Sequence, residues 1–197
     1  MQRPKIKLLY TAPEKLLQVG AALLLLATVA LTVSSMGALP ARIPTHFGFD
    51  GSPNGWGGKD SLLLLPILSA VFYAGLTALE RFPWIYNYPV EITEENAPGQ
   101  YRAGRLMTEW MKLVVIAIYF YLQWQTIEGA KGLSHTLGAW FLPAALVAMF
   151  GGMGVMIRKM TKLKQPDYNK KNRPPNLPHG AAFGGLFVVM GSYSSSA

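Results

Sequence analysis

The chain contains no cysteine. That excludes disulfides, a thiolate nucleophile and any cysteine-ligated metal, and it leaves the redox compartment unread. Charge is also scarce. Only 14% of the 197 residues are Asp, Glu, Lys or Arg, against roughly 25% in an ordinary soluble domain. The deficit is local: charge vanishes from long stretches and collects between them. There is no polar half from which a separate soluble domain could be built, so a single membrane domain is expected. The sequence has no His-Glu-x-x-His, no phosphate loop and no Gly-x-Ser-x-Gly, each of which would point to a definite chemistry. No ionisable residue stands at the middle of an apolar run, which disfavours an ion pump or proton relay. No catalytic residue and no cofactor is assigned, and a non-enzymatic role is expected.

What is present is a set of charge-free apolar runs. The first, Leu16 to Met36, has 21 residues, about 31 Å of helix at roughly 1.5 Å per residue, which matches a hydrocarbon core of about 30 Å. It is longer than a signal-peptide core, and a second hydrophobic run follows it, so it is expected to be retained as a helix. The second run is Ser61 to Leu79, with Pro66 as a candidate kink. The third, Leu113 to Ile127, becomes long enough if Trp110 and Met111 join it and Lys112 snorkels to the interface. The fourth, Gly132 to Ile157, contains Pro143. Spans are expected near 14–37, 61–80, 110–128 and 136–158. The fold class expected is an all-α four-transmembrane-helix bundle with an ordered outer loop between helices 1 and 2. Residues 1–157 would form the membrane domain and 158–197 a basic, Pro-rich tail.

Basic residues orient such a bundle. Of the 18 Lys and Arg, fifteen fall on one side of the four-span arrangement, and Arg42, Lys59 and Lys131 on the other. The positive-inside rule then places both termini in the cytoplasm, and a prokaryotic inner or plasma membrane is the expected location. The net charge of +8 flanks the apolar runs, a distribution that suits anionic lipid at the cytoplasmic face rather than nucleic acid. Helices in lipid recognise one another through close packing. Ala70, Ala74 and Ala78 repeat every four residues on the second helix, and Ala144, Ala148 and Gly152 on the fourth. Either stripe is a candidate packing face, within the chain, in a homo-oligomer or against another membrane protein. The alternative is the ordinary abundance of small residues in membrane helices.

The loop between the first two runs holds Leu39-Pro-Ala-Arg-Ile-Pro-Thr-His46-Phe47, then Asp50-Gly51, Asn54-Gly55 and Trp56-Gly-Gly-Lys59-Asp60. Asp-Gly and Asn-Gly are turn dipeptides, and the residues before Pro40 and Pro44 are pushed toward extended backbone. A compact cap over residues 38–60 is expected, with Phe47, Phe49 and Trp56 resting on the membrane surface or plugging the bundle mouth and His46 turned inward. The pattern of Leu-Pro, Ile-Pro, His-Phe, a glycine turn, Trp-Gly, Lys and a Pro-containing helix resembles the domain-of-unknown-function 1648 family, the N-terminal membrane domain of SdpI-like immunity proteins. The resemblance covers residues 15 to 80 best. The second connection, Asn87 to Asn96 with Tyr101, Arg102 and Arg105, extends it to about residue 110. The C-terminal half of the SdpI type is not recognisable. What the resemblance implies is binding or sensing of an unnamed ligand at the outer loop, with His46, Phe47, Asp50, Asn54, Trp56 and Lys59 as the candidate contacts. An accessory subunit is the alternative. A metal-dependent enzyme or transporter is the third reading. It would use His46, Asp50, Asp60 and His135, with Glu128 as a fifth ligand, because zinc takes His and carboxylate together. Against it stands a histidine satisfied by hydrogen bonds inside the loop.

The second connection holds Glu91, Glu94 and Glu95, then Asn96-Ala97-Pro98, a helix start with a cap and an early proline. The helix is expected to run on into the third span as a charged, solvated stem. Arg105 and Glu109 on it stand at ion-pair spacing.

Overall fold

The computed structural model describes residues 3–133 and 136–163. Four helices in it are long and apolar enough to cross a membrane: Ala12–Ser35, Lys59–Leu79, Ala97–Ala130 and Phe141–Lys162. We call the first α1, the regular part of the second (Leu64–Leu79) α2, the third α3 and the fourth α4. Three of them match the expected spans to within a few residues. The third begins at Ala97, as the Asn-Ala-Pro start implies, and its 34 residues measure about 51 Å. The turn that leads into it is fixed by reciprocal bonds. The Thr93 N–H donates to Asn96 Oδ1 (2.9 Å), and the Asn96 N–H donates to the Thr93 hydroxyl (3.3 Å).

α3 is the central element and packs against α1, α2 and α4. The distribution of side chains is inverted relative to a soluble protein. The buried face of α1 is Glu14, Ala21, Thr28, Thr32 and Ser35, while Leu16, Leu23, Leu26 and Val33 are exposed. The buried face of α2 is Pro66 and Ser69, with Leu64, Ile67 and Val71 outside. An apolar exterior and a polar interior are stable only where the solvent is lipid, because lipid gives no reason to hide Leu and every reason to pair polar groups internally.

One internal pairing follows directly from a proline. Pro66 has no N–H, so the carbonyl of Leu62, four residues earlier, lacks its helical donor. The chain is a 3₁₀ turn there, Lys59–Leu63. Gln123 of α3 replaces the missing donor: its Nε2 donates to the Leu62 carbonyl (2.9 Å) and to the Thr32 hydroxyl (2.7 Å). A single amide thereby ties α1, α2 and α3 together.

The all-α expectation is corrected at the loop. Arg42–Phe47 (β1) and Pro53–Gly58 (β2) form a two-stranded antiparallel sheet. Ile43 lies opposite Gly57, Pro44 opposite Trp56 and His46 opposite Gly55. Asp50-Gly51 turns the chain, with Gly51 at φ 78°. Asn54-Gly55 does not turn it and lies inside β2. Its glycine is needed for a different reason, since a Cβ there would come within 2.8 Å of the His46 Cβ. Leu39 and Ile43 are buried with Leu62 and Ile127, and Leu31, Met36 and Ala130 pack around them. The hairpin is also fastened at its turn, where the Leu137 N–H donates to the Gly51 carbonyl (2.8 Å).

The small-residue stripes divide. Ala70, Ala74 and Ala78 are exposed in this chain, because α2 turns Pro66 and Ser69 inward. On α4, Ala144 is exposed while Ala148 and Gly152 are half-buried against Trp110 of α3. The indole Nε1 donates to the Ala148 carbonyl (2.9 Å). A Cβ on Gly152 would lie 2.0 Å from that nitrogen. The contact coincides with a single π-helical turn, Val147–Gly151, where a side chain has been inserted against the backbone ladder.

Candidate functional site

Among the described residues, the hairpin does not bring His46, Asp50 and Asp60 together as metal ligands. His46 is exposed rather than turned inward. Its Nδ1 pairs with Asn54 Oδ1 across the two strands, so the imidazole is held by a side-chain amide and no longer needs an interior partner. Asp50 is exposed and accepts the Ser52 N–H (3.1 Å). That backbone bond, with the Ser52 hydroxyl, holds its carboxyl below the usual range. Asp60 is exposed and Lys59 half-buried at the start of the second span. Glu128 pairs with Lys131 at 3.6 Å. His135 lies outside the described residues. Among the described residues no three His, Cys, Asp or Glu side chains are grouped to hold a metal ion. The aromatics do not plug the helices either. Phe47 is half-buried, Phe49 is 98% exposed and Trp56 52% exposed. Leu39 and Ile43 form the plug, so the hairpin is a stapled scaffold carrying His46–Asn54, Phe49 and Trp56 outward.

The opposite end of the helices holds what sequence reasoning missed. The stem of α3 is not solvated there. Arg105 is buried and points at α1, donating through Nε to Glu14 Oε1 (3.0 Å) and through its terminal nitrogens to Glu14 Oε2 (3.2 Å) and the Leu8 and Leu9 carbonyls (2.8 and 3.1 Å). Glu14 is held in turn by the N–H and hydroxyl of Thr11 (2.6 and 2.7 Å). The expected Arg105–Glu109 pair is therefore absent, because each residue faces a different helix. Glu109 meets Lys112 at 2.9 Å, and Lys112 also reaches Glu80 at 2.8 Å and the Thr77 hydroxyl at 3.1 Å. Nor does Lys112 snorkel. Its side chain and those of Glu80 and Glu109 have 0% exposure, and Tyr73 of α2 places its ring 5.1 Å from the ammonium. Glu80, just beyond α2, has its carboxyl pushed up to about 8, first by burial and then by the Glu109 carboxyl beside it.

The sequence did hold signals for this cluster. Thr11-Ala-Pro-Glu14 is an N-terminal capping pattern. Glu80 ends the second apolar run and Lys112 precedes the third, so opposite charges close adjacent spans on one side.

Residues 6–10 run across this end as a strap. Tyr101 donates to the Pro4 carbonyl (3.0 Å), and Arg3 donates to the carbonyls of Trp84 and Tyr86. Between the strap and residues 80–84 is a cavity of about 450 Å³, lined by Ile6, Leu8, Leu9, Pro83 and Trp84 with Glu80 and Arg105 in its wall.

Polar residues buried between helices whose outer faces are Leu, Ile and Val define a multi-pass membrane protein. Within it, residues 23–70 match the family described as Domain of unknown function (DUF1648). The match bears out the resemblance carried by the Leu-Pro, Ile-Pro, His-Phe and Trp-Gly motifs. A relative from Archaeoglobus fulgidus, an uncharacterized protein, is 32% identical over 107 residues, half of this chain and 57% of that protein. The chain thus spans little more than half the length of that relative. No solved structure matches the chain.

Proposed function

We propose that this is a non-enzymatic, multi-pass protein of a prokaryotic cell membrane, a four-helix bundle with both termini in the cytoplasm, that binds or senses a ligand through the outer hairpin. The observation that carries this reading is the combination of rigidity and exposure at residues 38–60. Leu39 and Ile43 are fully packed, yet Phe49, Trp56 and the His46–Asn54 pair face away from the helices. A loop of this length is costly to order, and here the order fixes a polar pair and two large rings outside the fold. Aromatic side chains on rigid backbone are what binding surfaces use, since little entropy remains to be lost. Resemblance to the membrane domain of immunity proteins supports the same reading as an analogy.

A photo-crosslinking residue placed at Phe49 in whole cells tests it. The expected product is a discrete adduct other than lipid that disappears when His46 and Asn54 are both replaced by Ala. Adducts with lipid alone would make the hairpin a membrane anchor and remove the reading. A second reading, an accessory subunit or homo-oligomer, is favoured by one feature: Ala70, Ala74 and Ala78 form an exposed face on α2 that would admit another helix closely.

A further inference from the structure

The Lys112 ammonium donates to Thr77 Oγ1 and Glu80 Oε1 and stands in ion-pair contact with Glu109 Oε2 at 2.9 Å, so its three N–H groups are committed to these neighbours. Three buried carboxylate oxygens, Glu80 Oε2 and both of Glu109, have no hydrogen-bond donor among the described residues, Glu109 Oε2 keeping only its ion-pair contact with Lys112. A buried acceptor in that state is costly, and one hydrogen shared between the two carboxyls satisfies an oxygen on each. The charge count gives the same result independently. Two ionised carboxylates and one ammonium leave a net charge of −1 where all three side chains are shut from solvent. One added proton makes the cluster neutral. Carboxylates that approach within hydrogen-bond reach cannot both ionise readily, and they share a proton.

We infer that Glu80 and Glu109 form a proton-binding site, holding one exchangeable proton between them above Lys112, and that the proton reaches it through the cavity beneath the 6–10 strap. Glu80 is the residue common to the cluster and the cavity wall. The proton comes from water in that cavity and returns to it, with no other bond made or broken. The groups that face the site come from every neighbouring element. Lys112 and Arg105 are on α3 and Tyr73 on α2. Tyr10 is on the strap and Tyr86 on the 80–96 connection, and Glu14 on α1 already neutralises Arg105. The site is at the end of the chain remote from the hairpin and does not depend on the hairpin's role. It also revises the expectation that no proton chemistry is built into these helices. The residues are absent from the middle of each apolar run but meet where the runs end.

Infrared difference spectroscopy of the purified protein in lipid nanodiscs reads the site directly. The wild type should show a protonated-carboxyl stretch that persists well above the usual Glu value of about 4.3 and titrates away reversibly at alkaline pH. Glu109→Gln and Glu80→Gln each supply an amide donor to the remaining carboxylate, so each should fold, keep an ion pair with Lys112 and lose the band. Glu128→Gln, at the exposed Lys131 pair, should keep it. Loss of the wild-type band at ordinary carboxylate pH, or its survival in either dyad variant, would overturn the site. So would a wild type stabilised at alkaline pH by sodium ions, with no carboxyl band, since a metal cation would then occupy the free carboxylate oxygens. Stability adds a second readout. Folding that raises the Glu80 value from 4.5 to about 8 takes up a proton between those values. The melting temperature of the wild type should therefore fall as pH rises through that window and level off above it, whereas Glu109→Gln, which keeps Glu80 buried but removes the second carboxyl, should show a shallower fall.

Discussion

Removing the ammonium of Lys112 leaves two carboxylates facing each other with no counter-charge. Breaking one partner out of a buried ion pair costs about 3–5 kcal/mol, and Lys112→Met should lose stability of that order in detergent melts near neutral pH. The wild type binds one extra proton on folding, whereas the variant must bind two. The gap between them should therefore widen as pH rises above the usual Glu value and narrow toward about pH 4.3. Melting curves of both proteins at acidic and alkaline pH check this, and a pH-independent gap would contradict the burial of the cluster. At the other end, His46 shows how a residue's surroundings can escape a sequence reading. A histidine in a compact loop suggests an interior partner or a metal. Its actual partner, Asn54, is eight positions away and is brought alongside only by the pairing of β1 with β2.

Among the elements, α4 is held by a contact that tolerates no side chain. The indole of Trp110 fills the space above Gly152 and donates to the Ala148 carbonyl. Gly152→Val should push α4 away from α3 and lower the melting temperature more than Gly154→Val, since Gly154 has nothing within 4 Å of its Cβ position. Equal effects from the two substitutions would show that the contact does not hold the helix. The helices themselves were legible because length and missing charge are properties of single segments. Their faces were not. Ala70, Ala74 and Ala78 have the spacing of an interface, but α2 rotates to bury Pro66 and Ser69, and the Gln123 amide meets the Leu62 carbonyl that Pro66 leaves without a donor. In lipid, satisfying one carbonyl outweighs the close approach of three methyl groups, and that choice depends on a residue some sixty positions downstream. The hairpin strands were hidden for a related reason. A β2 strand written Pro-Asn-Gly-Trp-Gly-Gly has no alternating pattern, because its glycines answer to the side chains of β1.

For the whole molecule, the alternation of helices places residues 36–58 at one end and residues 80–96 at the other. The proposed orientation requires that a cysteine at Ser52 react with a membrane-impermeant maleimide in intact cells, and one at the exposed Glu94 only after lysis. The reverse pattern would overturn the orientation drawn from fifteen basic residues against three. The domain match covers residues 23–70, and Glu14, Glu80, Arg105, Glu109 and Lys112 all fall outside it, so the charged cluster is built from sequence beyond the matched segment.

The arrangement of those charges also sets an order of events during biosynthesis. α1 brings an acid, Glu14, and the residue closing α2 is another, Glu80. Both cations that neutralise them, Arg105 and Lys112, arrive on α3, which the ribosome makes later. A nascent chain with only its first two helices inserted therefore carries two unmatched carboxylates at the membrane boundary. Carrying them inward as bare anions is unfavourable, so such an intermediate has reason to stay shallow, or to stay with the insertion machinery, until α3 enters and locks both acids at once.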